Sequence, residues 1–285
     1  MTPVVETLDD TGWLAGNTAD RRMAGLPLHL LAGSRLLLIM VVTAVLTALY
    51  LPVAGLRRRR LADRIYRLWA AVVCRICGLR LIVRGQPVGG PGCLYVANHC
   101  SYLDIPVLRA ILDATFVSRH DVSGWPVLGP LARMTGTLFV ERRPARSGEQ
   151  ARQMTGQLEK GQSIILFPEG TSTDGNRVLP FKSSLFAAVE RTQGMTRNVQ
   201  PVTIAYTRLY NLPMSLVERP LFAWYGDMDL APHLWQLLHI GSATVEITLH
   251  QPVRPEQLAD RKLLAADCRQ SVAEGLRKSL TGRLV

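Results

Sequence analysis

Cysteine is scarce and unpatterned in this 285-residue chain: five residues, at positions 74, 77, 93, 100 and 268. An odd count without a disulfide framework argues against a stapled secreted scaffold and for a reducing compartment. Cys74 and Cys77 have C-x-x-C spacing, but no second Cys or His pair follows at zinc-finger distance. That disfavours a structural metal and leaves two small residues on one helical stripe. A G-x-S-x-G motif is missing, which removes the nucleophile elbow of a serine hydrolase. Repeats and low-complexity linkers are also missing, so a single domain is expected from about residue 80 onward. Acidic residues are outnumbered, 22 Asp and Glu against 33 Lys and Arg, giving a formal charge of +11. A basic excess of this size suits an anionic partner. Nucleic acid would call for aromatics and Lys interleaved across a domain face. Instead, nine Arg against one Asp are concentrated between Arg57 and Arg84, directly after an apolar segment. The expected partner is an anionic membrane surface and not nucleic acid.

Apolar residues make up 48% of the chain and mean hydropathy is +0.13, high for a purely soluble domain. Leu36 to Leu56 is 21 residues without a charge, long enough to cross a bilayer. Arg57 to Arg60 closes this run, and the preceding tail is net acidic. The positive-inside rule then places the arginines and all that follows on the cytoplasmic side of the inner membrane. Pro52 and Gly55 interrupt the run near its end. Leu61 to Leu79 reads as an amphipathic helix, with Tyr66, Trp69, Val73 and Ile76 opposite Arg64, Arg67 and Arg75. Such a helix suits the headgroup plane. Two anchors fit equally: one span, or a shallow helical hairpin. The organisation expected is a tail over 1–34, an anchor over 35–80 and a catalytic domain over 81–285.

Beyond Arg84, short β-rich runs alternate with helical patterns. Strands are expected near 81–84, 94–97, 114–117, 137–140, 163–167, 202–206 and 243–249, and helices near 102–111, 148–160, 184–192 and 263–280. This alternation predicts an α/β fold with a mostly parallel sheet flanked by helices, behind an N-terminal membrane-inserted helical segment. Ligands in such folds collect at the C-terminal ends of strands. His99 follows one expected strand, and Asp104 stands five residues on. A tight turn there would let the carboxylate hold one ring nitrogen and free the other to accept a proton. Phe167 to Ser172 follows another expected strand. Pro168 and Gly170 force a turn there whose N–H groups suit an anion, with Glu169 at the rim.

Four ordered blocks together resemble the glycerolipid acyltransferase family, typified by lysophosphatidate acyltransferases. They are Asn98-His99 through Asp104, Gly136 through Arg142, Phe167-Pro168-Glu169-Gly170-Thr171, and Gln200-Pro201-Val202. The resemblance implies transfer of a fatty acyl group from acyl carrier protein or coenzyme A to a lysolipid hydroxyl. It implies His99 as the base and Asp104 as its orienting partner. Arg142, Glu169, Gly170, Thr171, Arg177 and Lys182 would hold the acceptor. It implies no metal or other cofactor beyond the thioester co-substrate.

The third block usually continues Glu-Gly-Thr-Arg-Ser in that family, but here Ser172 stands where the arginine is expected. A guanidinium that would grip a phosphate is thus replaced by a hydroxyl. Glu169 to Phe186 and Ala223 to Met228 resemble the branch that includes lyso-ornithine lipid O-acyltransferases, whose acceptor carries a carboxylate and an amine. Asp174 or Asp227 would meet the amine and Arg177 the carboxylate. That acceptor is the expectation. Lysophosphatidate is the alternative, and a membrane-anchored lipid hydrolase or a non-catalytic lipid-binding module stands further off.

Overall fold

A computed structural model describes residues 18–88, 92–124, 128–140, 147–189, 198–253 and 260–282. The helices are α1 (Thr18–Gly55), α2 (Arg59–Ile76), α3 (Asp104–Ile111), α4 (Leu128–Met134), α5 (Ser147–Glu159), α6 (Leu230–His239) and α7 (Arg261–Thr281). The strands are β1 (Leu79–Arg84), β2 (Cys93–Ala97), β3 (Thr115–Arg119), β4 (Leu138–Val140), β5 (Ile164–Leu166), β6 (Asn198–Leu209), β7 (Leu212–Pro213) and β8 (Ala243–Leu249). They form one sheet in the order β1-β8-β6-β2-β5-β3-β4, with β7 paired to β6. From β6 through β4 every neighbour is parallel, whereas β8 runs antiparallel to β6. The mostly parallel sheet expected from the sequence is present.

Period-2 patterning builds two layers around it. In β2, Cys93, Tyr95 and Ala97 face one core with Val107 and Leu108 of α3, Cys74 of α2 and Leu237 of α6. Leu94 and Val96 face the other, with Met154 and Leu158 of α5 and Leu264 and Cys268 of α7. All five β2 residues are buried, as a central parallel strand requires. Two expected helices differ in detail. The helix expected from Tyr102 starts at Asp104, because Ser101 to Leu103 turn tightly before it. The helix expected over 184–192 is a 3₁₀ turn, Ser183–Val189, with its remainder outside the described residues. The Lys182 N–H is tied to the Pro168 carbonyl and the Ala188 carbonyl to the Thr155 hydroxyl, and a short tight coil fits between those ties.

Helix α1 begins at Thr18, well before the apolar run, and continues through Pro27 and Pro52. Its stretch Pro27–Gly55 is long and apolar enough to cross a membrane, and much of its apolar surface is exposed although Ala32, Leu36 and Ile39 pack on the core. Yet polar contacts dot its length. The Arg35 guanidinium donates to the carbonyls of Leu238, Ile240 and Gly241. Thr43 accepts from the Trp69 indole of α2 at 3.0 Å, and the Tyr50 hydroxyl donates to the Met134 carbonyl at 2.7 Å. Arg35 and Tyr50 lie about 22 Å apart along an α-helix, so one side of α1 rests on the domain while Leu37, Leu38, Val41 and Val45 face outward.

Candidate active site

The two motif blocks, distant in sequence, meet because β2 and β5 are adjacent, with Val96 level with Leu166. Their C-terminal ends release His99 and Glu169 side by side, and the His99 N–H donates to Glu169 Oε1 at 2.9 Å. On the other side of β2, the Asn98 side chain pairs with the Ile204 backbone of β6 in both directions, at 2.9 and 2.8 Å. That buried amide substitutes for ladder bonds where β2 ends, and so fixes where the chain turns.

Asp104 is fully buried at the start of α3. Its Oδ2 accepts from His99 Nδ1 at 2.8 Å and from the Cys100 and Ser101 N–H groups at 2.8 and 2.9 Å. Its Oδ1 accepts from the Tyr206 hydroxyl of β6 at 3.0 Å. Backbone donors, a helix N-terminus and a phenol together compensate the burial of this charge. Burial, then the nearby Asp104 carboxylate, pushes the Tyr206 hydroxyl well above its ordinary range, so it stays a donor.

The His99 imidazole stacks on Phe167 with ring centroids 4.1 Å apart and keeps 23% of its side chain exposed. With Nδ1–H committed to Asp104, Nε2 is the basic nitrogen presented to an incoming hydroxyl, and an imidazolium formed there sits against a carboxylate. The arrangement suits general-base activation of a hydroxyl. Cys100, beside it in sequence, is buried. Burial and the Asp104 charge push its thiol well above the ordinary range, so it is no thiolate nucleophile.

Glu169 is only 2% exposed, and its Oε2 accepts from the Leu179 N–H at 2.8 Å. Burial, outweighing these two backbone donors, raises its carboxyl to about 7. Both oxygens therefore face the protein interior. Gly170 has φ +70°, and a Cβ there would stand 2.6 Å from Lys182 Nζ, so the Lys182 ammonium lies over the glycine backbone. Thr171, Arg177 and Lys182 are exposed on this rim. Arg142 lies outside the described residues. Ser172 donates to the Trp224 carbonyl, and Asp174 accepts from the Asn176 N–H at 3.1 Å in its own turn. His233 is buried and bonded to the Tyr102 hydroxyl at 3.0 Å, a packing role.

Two residues absent from the motif reading tie this rim down. Tyr206 is one. Arg219 is the other: buried, it donates to the Asn176 side chain at 2.7 Å and to the Met214 carbonyl at 2.9 Å. A polar side chain closing an apolar strand run was the available signal for Tyr206, and Arg219 had none.

A parallel-sheet α/β core presents a His–Asp pair and a Glu-bearing turn from neighbouring strand ends, and by its relatives the chain belongs to the glycerolipid acyltransferase family. The family model described as Acyltransferase matches residues 80–205. Among curated proteins, the lyso-ornithine lipid O-acyltransferase of Rhizobium meliloti (strain 1021) is 38% identical over 76% of this chain and 75% of its own length. That of Brucella abortus (strain 2308) is 39% identical over 79% and 85%. A 1-acyl-sn-glycerol-3-phosphate acyltransferase of Neisseria gonorrhoeae is further away, at 28% over 66% and 73%. The crystal structure of the 1-acyl-sn-glycerophosphate acyltransferase PlsC from Thermotoga maritima superposes with a TM-score of 0.66 at 22% identity, covering 93% of this chain and 99% of that one. The fold is shared, and the chain is an acyltransferase acting on lysolipids. The apolar α1 is consistent with association with the membrane that holds them.

Proposed function

We propose that the enzyme transfers a fatty acyl group from a thioester, acyl carrier protein or coenzyme A, to the free hydroxyl of lyso-ornithine lipid. His99 Nε2 removes the hydroxyl proton as the oxygen attacks the thioester carbonyl. Asp104 holds the ring and stabilises the imidazolium, and the departing thiolate takes the proton back. Arg142, Thr171, Arg177 and Lys182 receive the acceptor head group, while the Gly170 N–H is held by the Phe167 carbonyl within its own turn. Glu169 itself acts through backbone, setting the His99 main chain. No further cofactor enters this scheme.

The observation that carries the acceptor choice is Ser172. It stands where an arginine would grip a phosphate, and its hydroxyl is spent on the Trp224 carbonyl. Arg177, with its charge exposed on the same rim, suits a carboxylate, and Asp174 or Asp227 an amine. The names of the relatives at 38 and 39% identity support the same acceptor. Lysophosphatidate remains the second reading, favoured by the named Neisseria relative. The deciding experiment supplies both lysolipids to purified enzyme with either thioester. Turnover of lyso-ornithine lipid over lysophosphatidate is expected, and robust turnover of lysophosphatidate alone would sink the assignment.

We further propose that α1 and α2 form a shallow hairpin in the inner leaflet of the cytoplasmic membrane, with the domain in the cytoplasm. The contacts of Arg35, Thr43 and Tyr50 along one side of α1 support this over a free-standing span. The Arg57 to Arg60 cluster suits anionic headgroups on that leaflet.

A further inference from the structure

We propose that the loop from Tyr210 to Leu221 is a second bilayer-contacting element, set beside the mouth of the active site. It rests on the membrane-associated reading above. Its side chains are the starting point: Val217 is 81% exposed, Leu212 70% and Leu216 67%. Between Arg208 and Glu218 the chain carries no charge. Scattered exposed leucines need no explanation, but a contiguous uncharged run of them marks an interaction surface.

The loop is also held in place. Leu209 pairs with Leu212 across a two-residue turn in which Tyr210 and Asn211 have φ of 49° and 68°. Two positive φ values define the tight primed hairpin turn, and for a tyrosine that conformation is costly. Its surroundings enforce it: the Tyr210 N–H donates to the Ser242 carbonyl, and its hydroxyl accepts from the Gly241 N–H at 3.0 Å. Leu212 is thereby turned out to solvent on a rigid base.

Two sets of contacts give the patch its occupant. Gly241, which holds Tyr210, also receives the Arg35 guanidinium of α1 at 2.7 Å, so the loop base adjoins the apolar helix. On its other flank the Leu216 carbonyl accepts from the Asn176 side chain at 3.0 Å, and Arg219 bridges Asn176 to Met214. Asn176 belongs to the turn after Glu169, and a Cβ added to Gly175 beside it would stand 3.8 Å from the Cys100 side chain. The patch thus runs from the membrane helix to the rim next to His99. A lysolipid must bring its head group to that rim while its acyl chain stays in apolar surroundings, and an uncharged lip there provides them. An acidic carrier protein would instead need exposed cations: Leu209 to Val217 holds none, and Arg219 is buried against Asn176 and Met214.

All five native cysteines are buried, so a nitroxide on Val217→Cys reports from that position alone. In vesicles of phosphatidylcholine and phosphatidylglycerol, full-length protein should show oxygen collisions exceeding those with a nickel chelate at 217. The same label on Leu263→Cys, exposed on α7, should not. Equal access of the chelate to 217 with and without vesicles would overturn the proposal. So would immobilisation of the label by acyl carrier protein or a second copy in the absence of lipid. This readout needs no turnover and stands apart from the acceptor assignment. Leu212→Ser/Val217→Ser should raise KM for a vesicle-borne acceptor about 10-fold, as expected for losing two inserted apolar side chains. Its kcat on a detergent-dispersed acceptor should match the parent, and an unchanged KM on vesicles would equally count against the lip.

Discussion

The two halves of the site are built differently. On the His99 side, Asp104, Tyr206, Asn98 and Glu169 are all buried, and each has fixed hydrogen-bond partners. On the acceptor side, Thr171, Arg177 and Lys182 are exposed, and no hydrogen bond among the described residues fixes either charged end. Proton transfer needs a base placed to within a fraction of an ångström, and buried networks hold such placement. Head-group capture tolerates solvated cations, which contribute steering more than geometry. Substitutions on the first side should therefore fall on kcat, and those on the second on KM.

The largest effect expected is that of His99→Ala, which should lower kcat by at least about 10³-fold, the range of a lost general base. Thermal stability and vesicle binding should hardly change, since the ring is partly exposed and only stacks and bonds locally. Near-parental turnover would remove the base from the mechanism and erase the contrast between the halves. Asp104→Asn should cost about 10²-fold or more in kcat, because an amide NH2 turned toward Nδ1 imposes the wrong tautomer and cannot stabilise an imidazolium. It should also destabilise the fold, as the Cys100 and Ser101 N–H groups and the Tyr206 hydroxyl all need an acceptor there. A loss confined to KM would contradict the assignment.

Lys182→Ala tests the other half. It should raise KM for an anionic lysolipid by about 3- to 10-fold with kcat preserved, and added salt should shrink the difference. The ammonium lies over the Gly170 backbone, so the effect reads charge at that turn and not packing. A drop in kcat alone would mean that Lys182 works with the His99 side, and the comparison would need redrawing.

The geometry of the His99 side was legible where its cause is local. His99 and Asp104 are five residues apart, and a strand end plus a tight turn is enough to join them. Apolar runs disclosed β2 and β5, and with them the strand ends that carry His99 and Glu169. Register was not legible: nothing in either run says that Val96 lies level with Leu166, so the bond from the His99 N–H to Glu169 emerges only from the pairing. Tyr206 reaches Asp104 across 102 positions, and its hydroxyl at the end of an apolar run signals a polar contact without naming the partner. The apolar run of α1 was plain, but its attachment was hidden, because Arg35, which ends the uncharged stretch, spends its guanidinium on carbonyls of a segment 203 to 206 residues away.

Glu169 offers the smallest and most discriminating test of whether the buried side is a structural frame. Burial raises its carboxyl from the ordinary 4.5 to about 7. Between those values the folded protein holds a proton that the unfolded chain releases, so stability falls as pH rises through that window and levels off above it. The loss attributable to this one group is at most about 3 kcal/mol. Glu169→Gln, which resembles the protonated acid at every pH, should lack this slope. Comparing melting temperatures of parent and variant at pH 5 and pH 7.5 isolates it. Parallel curves would show that Glu169 does not titrate in the window. A parent that loses stability relative to the variant when the comparison is carried below pH 4.5 would show that the N–H groups of His99 and Leu179 outweigh burial and hold an ionised strut. In either of those cases the His99 backbone is braced by a charge and not by a neutral acid.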